Sequence, residues 1–250
     1  MPNPDPAPYR TAPLPQINGL RARYKLAPLP SGVEKIVGLM EGREKATLQE
    51  ITTIINADRM MTQKLITAAF PKLAARDGAT VQMATSRLGI DRVIMMMVGD
   101  LLNQAVLDTF ETMVSIPLEV DDGSMLPPAH GGQLMASVKF TGKANGEVTL
   151  AFSPYLGVLI TARLLGGNIE DRYPPEVVND AVGEIVNIIT GNLQSRLCDA
   201  GLPSEVALPV VKLQNVSPTV TVLGGTSDRF YFRHSAYGLG VNLCIAPFAK

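Results

Sequence analysis

Asp180, Glu184 and Asn187 stand four and three residues apart. In a helix that spacing (i, i+4, i+7) puts two carboxylates and an amide on one face. Val178, Val182, Ile185 and Ile189 form a separate apolar stripe, expected in the core. The face carries unfavourable choices for a helix. Two acids four apart repel by about 0.2–0.5 kcal/mol. Asn in a helix interior is a mild penalty, and Gly183 and Gly191 each cost about 1 kcal/mol against Ala. Residues that break local rules together mark a candidate functional surface, and the glycines would let a partner's backbone come close. The same spacing also describes the solvated side of an ordinary amphipathic helix, so spacing alone leaves both readings open.

Other chemistries find little support. No Gly-rich loop precedes a Lys-Ser/Thr pair, and Gly238-Leu239-Gly240 alone is too short a pattern for a dinucleotide site. There is no His-Glu-x-x-His and no Gly-x-Ser-x-Gly. His130 and His234 are the only histidines, so a hydrolase with His/Asp metal ligands cannot reside in residues 1–129. Cys198 and Cys244 are too few for a disulfide scaffold and lack metal-ligand spacing. The eight methionines from Met40 to Met113 read as gap-fillers of a small helical core, with an adaptable binding face as the alternative. With 250 residues, 46% hydrophobic and 18% charged, the chain is globular, and a formal net charge of −1 gives no electrostatic reason to expect nucleic acid or an anionic membrane. The longest apolar run, Val93 to Gly99, is far shorter than the roughly 20 residues of a membrane span. A soluble, cytoplasmic protein is expected.

The elements that must position the polar face follow from punctuation. Pro175 opens and Gly201 closes the helix that carries it, the preferred chemistry of helix ends. Before it come two strand-like runs, Gln133 to Phe140 and Glu147 to Phe152, around the turn Lys143-Ala144-Asn145-Gly146. A second helix runs from Pro154 to Leu165, closed by Gly166-Gly167. After the site helix, Thr219 to Leu223, Arg229 to Arg233 and Gly240 to Ile245 alternate like strands. Met113 to Val120 alternates loosely. Upstream the period is helical. Helices start at Ser31, at the capping box Thr47-Leu48-Gln49-Glu50, at Asp58, at Thr80, and at Asp91 running toward Phe110. No internal repeat is evident, and repeat architectures are set aside. The fold class is α+β: a Pro-rich arm over 1–28, an all-α unit over 29–112, and an α+β unit over 113–250.

The run Asp180-x-x-x-Glu184-x-x-Asn187, followed by Pro209, resembles the signature of the CheC/CheX/FliY phosphatases of bacterial chemotaxis, and Glu184 to Asn192 is similar to their active-site helix. The order of hairpin, Pro154 helix, long helix and late strands fits the single-site CheX form. The spacing to Pro209 departs from the family pattern by a residue. Leu29-Pro30, Ile54-Ile55-Asn56-Ala57-Asp58 and Ala84 to Val93 resemble a truncated HDOD domain, with Arg59 where that family usually has Pro. The resemblance implies an enzyme that speeds hydrolysis of the aspartyl phosphate of a CheY-type receiver. Asn187 would orient water and Glu184 would dock the receiver's lysine, with Asp180, Gly183, Gly191, Asn192 and Pro209 in support. It implies no cofactor of its own, Mg²⁺ being supplied by the receiver, and it allows a homodimer through sheet edges. The alternatives are a non-enzymatic adaptor that binds a receiver or another partner, and a structural part of the flagellar switch.

Overall fold

A computed structural model describes residues 47–71, 78–121, 132–199, 202–214, 226–234 and 237–245. The arm, the Ser31 helix, Leu29-Pro30 and the Thr219 to Leu223 run lie outside the described residues.

The N-terminal helices begin where their caps predict. In α1 (Leu48–Asn56) the Thr47 hydroxyl accepts from the Glu50 amide at 3.2 Å, and the Glu50 carboxylate accepts from the Thr47 amide at 2.8 Å, a complete capping box. In α2 (Arg59–Ala69) Asp58 accepts from the amides of Met60 and Met61. In α3 (Val81–Leu88) Thr80 caps Met83. Gly89, at φ 80°, separates α3 from α4 (Ile90–Val114) with a backbone that side chains resist. α4 runs four residues past the expected end at Phe110, so Met113 and Val114 are helical and strand β1 is only Glu119–Asp121.

The rest is one antiparallel sheet with helices packed on it. Its strands are β2 (Gln133–Gly142), β3 (Gly146–Phe152), β4 (Ser204–Val206), β5 (Val210–Gln214), β6 (Thr226–His234) and β7 (Tyr237–Ile245). The order is β1-β6-β7-β3-β2-β4, with β5 also on β2, so β4 and β5 share one edge. The β2–β3 turn is locked by Asn145, whose side chain accepts from the Gly142 amide and donates to the Gly142 carbonyl. Leu134, Ala136 and Val138 pair with Phe152, Leu150 and Val148, which pair in turn with Leu239, Val241 and Leu243. Those nine side chains share one face and are buried. The other face is more polar: Arg229 donates to Asn242 across β6 and β7.

Two more helices cover the apolar face, α5 (Pro154–Leu165) and α6 (Pro175–Asp199). α5 is capped by Ser153 and ended by Gly166 at φ 67°. α6 packs on β2 to β5, on α5 and on α4; α4 packs on α3 to one side and on β6, β7, α5 and α6 to the other. The helix expected to close the N-terminal unit is therefore also part of the layer that covers the sheet. This explains its composition. Among the described helices α4 is the one long and apolar enough to cross a membrane, yet 67% of its apolar window is buried against the protein itself. Gly99 on α4 makes room for the Phe230 ring of β6.

Ile189 of α6 is fully buried, whereas Asn187 is half-buried on the opposite side. Ile189→Ala is expected to cost about 2–5 kcal/mol and Asn187→Ala less than about 0.5 kcal/mol. Urea denaturation followed by circular dichroism measures both.

Candidate functional site

α6 is held along its whole length, and this decides which face is free. Val178, Val182, Ile185, Val186, Ile189, Leu193 and Leu197 are buried against the sheet and neighbouring helices. Its C-terminal half is also pinned to α4 by polar contacts. Arg196, 3% exposed, donates to the Gln104 side chain at 2.8 Å and lies 3.7 Å from the Asp108 carboxylate. Burial lowers the Arg196 pKa, with Asp108 and Asp199 opposing. Burial raises that of Asp108, which Arg196 opposes and Glu111 reinforces. Asn192 donates to the Thr109 hydroxyl at 3.2 Å.

What remains open is the face that carries Asp180, Glu184, Asn187 and Gly191. Asp180 and Glu184 are exposed and Asn187 is half-buried. None of the three makes a hydrogen bond or ion pair with a described residue. At 1.5 Å per residue the stretch from Asp180 to Gly191 is about 16 Å long. Toward the C-terminal end the face is closed: the Gln194 amide donates to the Ser204 carbonyl at 2.5 Å and to the Cys198 sulfur at 3.1 Å.

The supporting residues divide. A methyl on Gly183 would sit 3.4 Å from Pro209 and 3.6 Å from Val211, so Gly183 is where the β4–β5 edge presses on the helix. Pro209 thus does meet the site helix, one residue from Glu184, as a packing element between the two edge strands. A methyl on Gly191 would meet none of the described residues within 4 Å, so the face is flat there. Asn192 does not join the face, since its side chain is spent on α4. Five residues past Asn187 is about 140° around the helix, so the departure is geometric. The sequence reading missed the exposed apolar residues of the β4–β5 edge: Leu208, 84% exposed, with Val210 and Leu213, which point to opposite sides of β5. Their signal was Ala207-Leu208-Pro209-Val210-Val211, an apolar run broken by a proline at a sheet edge. Among the described residues no cluster of three or more His, Cys, Asp or Glu could hold a metal ion.

Residues 134–227 match the family model described as chemotaxis phosphatase CheX. The segment contains the whole polar face and Pro209. The chain carries a CheX-like domain. The chemotaxis protein CheX from Vibrio vulnificus aligns with 59% of this chain and 95% of its own, at 21% identity and a TM-score of 0.51. That is more than the matched segment and everything after it, so the shared fold extends back before residue 134 toward α4. Two further structures are similar. The CheX-CheY-BeF3-Mg+2 complex from Borrelia burgdorferi matches at 15% identity and a TM-score of 0.49, covering 60% of this chain and 97% of that one. FliY of Thermotoga maritima matches at 17% and 0.45, covering 63% and 89%. No curated protein matches the chain in sequence.

The two glycines of the CheX-like domain's helix should respond oppositely to substitution. Gly191→Ala, with open space around it, is expected to raise stability by about 1 kcal/mol. Gly183→Leu must displace Pro209 and Val211 and should cost about 1–3 kcal/mol. Thermal denaturation compares them directly.

Proposed function

We propose that the chain accelerates hydrolysis of the aspartyl phosphate on a CheY-type receiver, with the open face of α6 as its working surface. The observation that carries this is the set Asp180, Glu184 and Asn187, free of partners among the described residues and lying inside the segment that matches the chemotaxis phosphatase family model. An aspartyl phosphate is an activated acyl phosphate, and the receiver holds Mg²⁺ beside it. The chain then needs neither a nucleophile nor a metal of its own. What is left to supply is position: a water held in line with phosphorus.

Asn187 suits that task. Its amide accepts from a water and donates to it, and its neutrality avoids repelling the phosphoryl oxygens. Glu184, one turn back and exposed, is the group to meet the receiver's active-site lysine. Asp180, a further turn back, contacts the receiver's surface beyond it. Gly191 keeps the face flat where the receiver's loops arrive. Pro209 holds the β4–β5 edge against Gly183 and takes no part in the chemistry. The N-terminal helices are read as HDOD-like from their sequence cues. Pairing of two copies through sheet edges belongs to the same reading, and light scattering that gives a monomer removes that part.

The exposed apolar residues of the β4–β5 edge, Leu208 foremost, favour a second reading, an adaptor that binds a receiver without hydrolysing its phosphate. The two readings part in one assay. Decay of receiver acyl phosphate is followed with Mg²⁺ present, alone, with the wild-type chain, and with two variants. Asn187→Ala should return decay to the unaided rate while changing receiver affinity by less than about twofold, since it removes only positioning in the transition state. Glu184→Ala should weaken both, affinity by about tenfold, as expected for a charged pair at the centre of an interface. Binding without acceleration by the wild type would establish the adaptor. Full acceleration by Asn187→Ala would remove the water-positioning role.

A further inference from the structure

β4 and β5 are one edge strand with an extra residue in it. Val206 pairs with Phe140, and Val210 pairs with Ser137. Three residues, Ala207, Leu208 and Pro209, therefore stand opposite two, Val138 and Lys139. That is a β-bulge, which takes one residue out of the ladder and bends the strand. The Ala207 amide still donates to the Lys139 carbonyl at 2.8 Å. Pro209 faces α6, where its ring would lie 3.4 Å from a methyl on Gly183. Leu208, between them, is the residue left without a place in the ladder, and it is 84% exposed.

The bulge runs alongside the site. The Ser204 carbonyl, four residues before Leu208, accepts from Gln194 of α6. Pro209, one residue after Leu208, meets Gly183. Edge strand and helix thus run in opposite directions, and Leu208 falls beside the stretch of α6 between those contacts. Glu184, Asn187 and Gly191 stand on that stretch. Gly183 is only about 40° around the helix from Asn187, so the side of α6 that the bulge touches borders the open face.

A proline and a bulge guard a sheet edge against stray pairing. That use accounts for Pro209 and for the extra residue, but not for a leucine, since a polar side chain there would leave no apolar surface in water. The leucine is also held ready. A residue before proline is confined to extended backbone, Ala207 is tied to β2, and Pro209 is seated on the helix. An apolar group on such a mount loses little conformational freedom when a partner covers it.

We propose that Leu208 is the apolar anchor of the receiver interface, covered by an apolar spot beside the receiver's phosphorylated aspartate. Leu208 then sets affinity and choice of receiver, while Asn187 places the water. This rests on the reading of α6 given above. Leu208 touches no reacting atom, so it binds ground and transition states alike.

The test titrates the full-length chain with a Mg²⁺-loaded CheY-type receiver held in its phosphorylated form by beryllofluoride. Acyl-phosphate decay is followed in parallel at varied receiver concentration. Leu208→Ala should weaken binding by about fivefold or more, as expected of a residue that anchors an interface. It should raise KM in step and leave kcat unchanged, the signature of lost uniform binding. Leu208→Met, of similar volume, should stay within about twofold of the wild type. Val210→Ala should change neither quantity, because Val210 is exposed on the same edge but pairs with Ser137 and points to the other side of the sheet. The exposure of Leu208 predicts an unchanged melting temperature for its variants. Unchanged affinity in Leu208→Ala, an equal loss in Val210→Ala, or a lower kcat at unchanged affinity would overturn the anchor and leave the α6 reading standing. If the wild type neither binds the receiver nor speeds its dephosphorylation, the α6 reading fails and the anchor fails with it.

Discussion

Everything the site can do depends on how α6 is held. A helix of 25 residues bears on four strands and two helices at once. Seven buried aliphatic side chains fix its rotation against the sheet and neighbouring helices. Arg196 and Asn192 fix its C-terminal half against α4. Rotating the helix by even one position would bring Glu184 or Asp180 toward the core, where an unpaired carboxylate is far more costly than any gain in packing. The polar face is thus outward by compulsion. Asn187, at the boundary between core and solvent, is braced by its neighbours without being consumed by them.

That rigidity matters for chemistry that consists of placement. A water-orienting amide works only if the amide itself does not wander, and supporting packing must hold it within a fraction of an ångström. In the proposed reaction Gly183 and Pro209 would serve this purpose. The close approach of the β4–β5 edge at Gly183 ties the helix to the sheet one residue from Glu184. Gly191 does the opposite: it gives up helix propensity for an empty surface.

Much of this was legible in the amino-acid sequence, for identifiable reasons. Caps at Thr47, Asp58, Thr80 and Ser153 announced their helices because a hydroxyl or carboxylate satisfies orphan amides wherever it stands. The i, i+4, i+7 face was legible because helical geometry is periodic. The place of Asn192 was not legible in a motif written as a string: the helix turns 100° per residue and carries that side chain round to Thr109. The end of α4 was misjudged because its last turn is held by packing, a tertiary effect that local propensity does not record. Strands β4 and β5 escaped individual notice because each is short and the proline between them interrupts the alternation.

The central claim is that α6 brings a water to phosphorus and takes no phosphoryl group onto the chain. Dephosphorylation of the receiver in ¹⁸O-labelled water tests this most directly, with mass analysis of the released phosphate, the receiver aspartate and this chain. The account predicts that the chain-dependent part of the reaction puts one solvent oxygen into inorganic phosphate and none into the aspartate. Label in the aspartate carboxylate, or phosphate found on this chain, would contradict it.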